Sequence, residues 1–578
     1  MTADETNRTT EEGEDVSGAE GSATKKRPNF LILCMDQWQT HMELPEDVKF
    51  PAMERLESQG VSFDRQYCTV PICTPSRSTM WTGVHAKKTG LWDNTNFAWI
   101  DELSTEIPTI GHMMREQGYY TAFKGKWHLS EVERSEDALE RYGFSDYQQW
   151  GDMFGAPLQG EQLDGAAAFE TVDWLENRAP KLDQPWLLIS SLINPHDIMF
   201  LQTDSVETPH PEGSMTGLQT KEQQLGWFTK KWDISLPDNF DDDLEYQPEG
   251  VRSYKRTIDS NYGRVPDNRG DLWIKRRNYL VNAMRLVDSE FNKILEAMDR
   301  QNLWDNTIVI FTGDHGEMNG AHRMSQKGGI HYDEATVVNL TVCLPDGPRG
   351  KRTKAVGSHL DLAPTILDFS GVSDNERLVK YPHLKGRSLK QAILEPESSG
   401  PRGSESDPAD GALICWDGLN MLDIDWALTG ALKSLTDMGS GPRAPREVHM
   451  ENMKRAGEKY GAPDFRKRTF YRAVVDGRYK LVRWFSPTEY GNPSTLQELY
   501  QQSDVTLHDL QNDPGEMENI GHPDHPGHEP VRVEQMLVKL HRLIERELED
   551  DEAPFDLDMF GTREVTYHAD ELERAEGE

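Results

Sequence analysis

Four short apolar runs, each ending in a group of ionisable residues, constrain this chain more than any other feature. They are residues 29–35 (NFLILCM), 119–123 (YYTAF), 185–193 (PWLLISSLI) and 307–313 (TIVIFTG). Runs of this length are short for helices and too evenly apolar for strands with one face in water. They fit strands buried on both faces, as in a sheet covered by helices. Segments of helical periodicity lie between them, over 104–118, 166–177 and 273–298. In the last, Trp273, Leu280, Met284, Val287, Phe291, Leu295 and Met298 recur at helical spacing. The alternation predicts an α/β domain with a largely parallel central sheet flanked by helices.

The pattern changes near residue 395. The stretch EPESSGPRGSESDPADG reads as a linker by its Pro, Gly, Ser and acid content. Beyond it, RTFYRAVVDGRYKLVRWF is two β-rich runs about Asp476-Gly477, a hairpin signal, and residues 531–550 form an amphipathic helical pattern. A catalytic α/β domain over 28–395 and a smaller C-terminal α+β subdomain with an antiparallel sheet over 396–550 are therefore expected. Residues 204–268, rich in Pro, Gly and Asp, read as an insertion that shapes a pocket. Its Trp227, Phe228, Trp232, Phe240, Tyr246, Tyr254 and Tyr262 read as that insertion's own small core, with stacking on a ligand ring as the alternative.

The chain carries 62 Lys and Arg against 99 Asp and Glu, a formal net charge of −37. Residues 1–27, read as a disordered acidic tail, and the acidic end from 545 contribute −3 and −11, so about −23 stays on the body. The second acidic tail is placed at 551–578. Such a surface repels phosphate backbones and anionic lipid, so neither nucleic acid nor membrane is expected as a partner. It suits a high-salt cytoplasm with an acidic proteome, where ions screen the self-repulsion. No apolar run reaches the roughly 18 residues of a membrane span, and the first 27 residues hold no apolar signal core, so a cytoplasmic location is expected. The five cysteines, Cys34, Cys68, Cys73, Cys343 and Cys415, give neither a disulfide framework nor a CxxC pair. Oligomeric state is not legible.

In open α/β sheets, ligands bind beyond the C-terminal ends of the strands. There the sequence offers Asp36 and Gln37, then Lys126 and His128, then His196, then Asp314 and His315. Carboxylate and amide oxygens suit a hard divalent cation, and one imidazole is tolerated among them. Arg77, Lys126, His128, His196 and Lys327 form a second, cationic set. A metal and several cations in one pocket of an acidic protein point to a small anionic substrate.

These residues lie in motifs that resemble a known family. CTPSR (73–77) matches the sulfatase signature C-x-P-x-R, and STMWTG continues it. GKWHL (125–129) matches the second signature. MDQ, NPH, GDHGEMNGAHRMSQKGGIHYDEA, SHLDLAPTILDFSGV and KGRSL follow in the family's order, and DLQNDPGEMENI resembles its C-terminal motif. Over about residues 28 to 550 the chain resembles the type I sulfatases of the alkaline phosphatase superfamily. The resemblance implies an alkaline-phosphatase-like fold and a sulfuric ester hydrolase acting on an aryl, sugar or alkyl sulfate. It implies that a formylglycine-generating enzyme, reading Pro75 and Arg77, oxidises Cys73 to formylglycine. It further implies one divalent ion on Asp36, Gln37, Asp314, His315 and the modified Cys73, with Ca2+ as the family default and Mn2+ or Mg2+ as alternatives. Arg77 would stabilise the nucleophile, and Lys126 and Lys327 would bind sulfate oxygens. His128 would act as base, and His196 would contact substrate and protonate the leaving alcohol. His322 is a further residue expected to face the site.

The chain departs from the family pattern at several positions. Gln37 stands where a second aspartate is common, His315 where asparagine is, and Ser130 where glycine is usual. EATVVNLTV lacks the usual arginine and proline. The Gln37 and His315 variants are familiar in bacterial sulfatases and also in the related phosphonate monoester hydrolases. A phosphonate monoester or phosphodiester hydrolase is thus a second reading, and a sulfated-glycan binder with unmodified Cys73 a third.

Overall fold

The computed structural model describes residues 27–148, 151–201, 203, 226–403, 411–429, 431 and 446–566. An eight-stranded sheet runs in the order β3 (Tyr120–Gly125), β4 (Trp186–Pro195), β1 (Asn29–Asp36), β5 (Thr307–Gly313), β7 (Leu340–Cys343), β2 (Val61–Tyr67) and β6 (Val337–Val338), with β8 (Lys351–Ser358) on the other side of β2. The β3-β4-β1-β5 ladder is parallel, as is β2–β8, while β7 and β6 run antiparallel to their neighbours. The apolar runs are buried on both faces, as their sequences require. Along β1, Phe30, Ile32 and Cys34 enter one core cluster while Leu31, Leu33 and Met35 enter the other. In β5, Ile308 and Ile310 divide from Val309 and Phe311 in the same way. Helices close both faces, among them α1 (Cys73–Thr82), α2 (Gln159–Asp173) and α3 (Gly270–Arg300).

Some boundaries differ from expectation for identifiable reasons. The helix expected over 104–118 begins only at Ile110. Pro108 disfavours helix at the residue before it, and the Thr109 hydroxyl accepts from the Gly111 and His112 amides as an N-cap. The helix expected over 166–177 starts earlier, at Gln159, and runs into a wider turn over Trp174–Arg178. Strands β2 and β8 went unread because their half-exposed stretches carry Asp64, Arg65, Lys351, Arg352 and Lys354, which mask the apolar pattern.

The C-terminal part forms a four-stranded antiparallel sheet in the order β12 (Asp504–Asp509), β11 (Tyr479–Phe485), β10 (Phe470–Val475) and β9 (Ala412–Trp416). Helix α4 (Pro530–Glu547) packs on it through Val533, Met536, Leu540 and Leu543. This sheet shares one apolar cluster with the large domain, so the two parts are fused rather than tethered. The acidic tail expected from 551 is not a free tail over its described part. Asp551 is buried against Lys87 at 2.5 Å and Arg472 at 2.7 Å, and Met559 and Phe560 enter the core. Residues 567–578 and the expected N-terminal tail up to 26 lie outside the described residues, as do 204–225 of the insertion.

Of the described aromatics of the insertion, only Phe240 sits in a small separate cluster, with Val265, Leu272 and Trp273, so most of the expected core does not form. Phe228 stacks on Tyr279 of α3 at 4.6 Å, and both it and Trp232 join the large core. Tyr254 is buried in the other large cluster, and Phe240 packs on Trp273. Among the described residues, no helix is long and apolar enough to cross a membrane.

Candidate active site

Helix α1 is buried along its whole length although six of its ten residues are hydroxylic or charged. Its polar groups therefore need partners inside the protein. Ser76 donates to the Asp314 carbonyl and meets His359 Nδ1 at 3.0 Å, and the Thr82 hydroxyl donates to the Ser78 carbonyl. Gly83, at φ 69°, closes the helix in the left-handed conformation. This polar seating brings the first residue, Cys73, against the ends of β1 and β5.

Cys73 Sγ lies 3.2 Å from His315 Nε2 and 3.8 Å from Asp36 Oδ1. His315 Nε2 is 3.6 Å from Asp36 Oδ1 and 3.7 Å from Asp314 Oδ1. One donor atom from each of Asp36, Cys73, Asp314 and His315 falls within 4.8 Å of the others, and all four residues are buried. Burial and the Asp36 charge push the Asp314 carboxyl up, whereas Lys126, His196 and Arg77 overcome burial and hold Asp36 well below the usual range. Burial and Asp36 oppose ionisation of Cys73, but Lys126, Lys327 and His315 outweigh them and lower its thiol. Two buried carboxylates, an imidazole and a fourth donor suit a hard divalent cation.

The structure alters the expected role of Arg77. Its Nε donates to Asp314 Oδ2 and one terminal nitrogen to Asp36 Oδ2, both at 2.9 Å. The other donates to the Lys126 carbonyl at 3.0 Å and Ser191 Oγ at 2.8 Å. The guanidinium is committed to orienting the two carboxylates rather than reaching into the cavity.

A cavity of about 290 Å3 opens on Cys73, His128, His196 and Lys327. Lys126 Nζ is 2.6 Å from Asp36 Oδ2. Gly155, at φ 94°, faces His196 and Lys126. A Cβ there would stand 2.8 Å from His196 Cε1 and 3.0 Å from Lys126 Nζ, so any side chain would intrude on the space these groups share. His128 Nε2 meets Asn96 Oδ1 at 2.7 Å, and its backbone N–H donates to Asp152 at 3.0 Å. His196 follows the cis Asn194–Pro195 bond. Burial, then the nearby lysines, depress both histidines well below the ordinary imidazole value, and each keeps a buried Nδ1 without a hydrogen-bond partner. The rest of the wall is largely apolar: Phe97, Phe154, Phe200, Tyr262 and Met199, with Met421 from the C-terminal subdomain.

Two residues differ from expectation. Gln37 turns its carboxamide oxygen to Lys327 and its NH2 to Glu317 and Gln326, while its backbone N–H donates to Asp314 at 3.2 Å. His322 does not line the cavity. It pairs with Asp242 at 2.6 Å and stacks on Tyr332 at 3.8 Å. Sequence reasoning missed Glu317, Arg276, Gln326 and Met421. Glu317 stood in view within GDHGE, but its partner Arg276 sits on α3, forty-one residues earlier.

Comparison with known proteins agrees with this geometry. The family model described as Sulfatase matches residues 28–372. A Delta 4,5-hexuronate-2-O-sulfatase of Bacteroides thetaiotaomicron is 26% identical over 403 residues, covering 65% of this chain and 76% of the relative. A solved 2-O GAG sulfatase superposes with a TM-score of 0.63 at 20% identity, over 93% of this chain and 96% of that one. The phosphonate monoester hydrolase of Agrobacterium radiobacter gives 0.56 at 19% identity, over 92% and 97%. With a family match across more than half its length and a buried Cys73 set among Asp36, Asp314 and His315, this chain belongs to the sulfatase family.

Proposed function

We propose that the protein hydrolyses a sulfate monoester to an alcohol and sulfate, with Cys73 as formylglycine and a divalent ion among Asp36, Asp314 and His315. The observation that carries this reading is the placement of Cys73. It begins a buried polar helix, touches the anionic cluster and opens on a cavity lined by Lys327, His128 and His196. The donor set fits Ca2+, Mn2+ or Mg2+: burial and the Asp36 charge push the Asp314 carboxyl up, and a cation held by these carboxylates would relieve that cost. When bound, such an ion supplies Lewis-acid polarisation and lowers the pKa of a coordinated hydroxyl. Formylglycine, made by a formylglycine-generating enzyme, supplies a hydrated aldehyde, one hydroxyl for attack on sulfur and a second whose deprotonation releases sulfate.

The chain's own residues do the rest. Lys126 and Lys327 present ammonium groups to the sulfate oxygens in a site already shielded from water, where fixed charge is most effective. Arg77 keeps the two carboxylates in register. His128, neutral at pH 7 without substrate, is suited to accept a proton. His196 is also neutral in the free protein, because burial, Lys327 and Lys126 disfavour its charge. A bound sulfate offsets the two lysines, so His196 gains basicity on substrate binding and can carry a proton to the leaving oxygen.

The cavity wall supports a small leaving group with an apolar or aromatic surface. Phe97, Phe154, Phe200 and Tyr262 give the wall its aromatic surface, with the uncharged amides Asn94, Asn96, Gln326 and Asn420 beside them. The two sulfatases named above are a hexuronate-2-O-sulfatase and a 2-O GAG sulfatase, so sulfated sugars stay in the test. Purified protein assayed against nitrophenyl sulfate, an alkyl sulfate, choline sulfate, a sulfated monosaccharide and phenylphosphonate monoesters decides between classes. Sulfate release with little phosphonate turnover is the expected result, and preference for the phosphonate would install the second hydrolase reading.

A further inference from the structure

Lys327 is held by a relay of buried groups that begins on the far side of the site. Arg276, on α3, donates to Glu317 Oε1 at 2.8 Å, and the amides of Asn319 and Gln326 donate to the same oxygen at 3.2 and 2.8 Å. The other oxygen, Oε2, accepts from Gln37 Nε2 at 2.5 Å. Gln37 Nε2 also donates to Gln326 Oε1 at 3.4 Å, and Gln326 Nε2 donates to the Met199 carbonyl at 2.9 Å, which turns its oxygen toward Gln37. Gln37 Oε1 then accepts from Lys327 Nζ.

The polarity of this relay is fixed. Flipping the Gln37 carboxamide would set its oxygen against two acceptors, Glu317 and Gln326, and its NH2 against the Lys327 ammonium. A neutral acceptor at 37 also holds Lys327 without cancelling its charge. An aspartate or glutamate there would neutralise Lys327 and face Glu317 as a like charge in a buried setting.

We propose that Glu317, braced by Arg276, is a positioning residue: it orients Gln37 so that Gln37 holds Lys327 as a fully charged ligand for sulfate, rather than serving as a metal ligand itself. This rests on the sulfatase reading of the cavity. It explains why the chain carries glutamine where a second acid is common in the resembled family.

The test compares the full-length, metal-loaded wild type with Glu317→Gln, Gln37→Met and Gln37→Glu. Three quantities are read: the affinity for inorganic sulfate by calorimetry, the KM and kcat for nitrophenyl sulfate, and the metal content by mass spectrometry. Glu317→Gln and Gln37→Met should each weaken sulfate binding and raise KM roughly ten-fold, change kcat less than KM, and leave metal content at the wild-type level. Gln37→Glu should lose more, and adding Glu317→Gln to it should restore part of the loss by removing the facing charge. Loss of metal in Gln37→Met would make Gln37 a metal ligand and overturn the proposal. Unchanged sulfate affinity in both Glu317→Gln and Gln37→Met would overturn it as well. Should Glu317→Gln fail to fold, Gln37→Met carries the test, since its side chain is close to glutamine in size. A wild type that binds sulfate but turns over no ester would remove the catalytic reading while leaving the relay testable by calorimetry.

Discussion

The proposed chemistry depends on one residue, Cys73. Its oxidation to formylglycine is expected in the native host, and mass spectrometry of a peptide spanning residues 66 to 77 should find the aldehyde in active protein. Cys73→Ala should abolish turnover and leave the melting temperature near that of wild type, since a small side chain suits the site. Asp314→Asn should empty the metal site, because one of two carboxylates is lost and Arg77 keeps an oxygen acceptor at the same place. Elemental analysis checks this, and full occupancy in the variant would remove Asp314 from the metal shell. His196→Ala should depend on the leaving group. A sugar or alkyl alcohol needs a proton as its bond to sulfur breaks, while nitrophenolate does not. The loss on a sulfated sugar should exceed that on nitrophenyl sulfate by roughly ten- to a thousand-fold. Equal losses would reassign His196 to binding. His128→Ala should slow both esters alike, since its proton transfer follows departure of the alcohol.

At the scale of elements, what was legible and what was not follow from one physical distinction. β1, β4 and β5 are central strands with both faces dry, so their runs are apolar throughout and their ends mark the site. β2 and β8 are partly solvated, and Arg65 and Lys351 hide them. Asp36, His196, Asp314 and His315 could be read because they follow β1, β4 and β5, and Lys126 and His128 because they follow the buried run of the edge strand β3. The Gln37–Glu317–Arg276 relay could not, since it depends on which face of α3 turns inward over the sheet. The segment after α4 was misjudged for the opposite reason. Its acids suggested a solvated tail, yet Asp551 closes a buried network with Arg472 and Lys87. Burial raises the Asp551 carboxyl, but these two cations more than reverse it and bring it down to about 2. Because the folded value lies below the unfolded one, this pairing stabilises fully above about pH 4 and fades as pH falls toward 2. Asp551→Asn should therefore cost roughly 3 kcal/mol at neutral pH, with the gap from wild type narrowing below pH 4 in denaturant melts.

At the scale of the whole molecule, the chain carries a formal net charge of −37, while Lys327 lines the proposed catalytic cavity and Lys126 lies beside Gly155 in its wall. The surface charge opposes compactness, and salt screens it over about 10 Å at 0.1 M and 3 Å at 1 M. The melting temperature should rise as KCl goes from 0.1 to about 2 M, and a fall across that range would contradict a stability limited by self-repulsion. The fused domains bring Met421 to the cavity, so the C-terminal subdomain forms part of the site's wall. The central claim is that Cys73, once converted, drives sulfate ester hydrolysis. The measurement that tests it most directly is specific activity against formylglycine occupancy at residue 73, in preparations co-expressed with graded amounts of a formylglycine-generating enzyme. Activity on nitrophenyl sulfate should rise in proportion to occupancy and extrapolate to zero where only cysteine is present. Activity that persists unchanged at zero occupancy would contradict it.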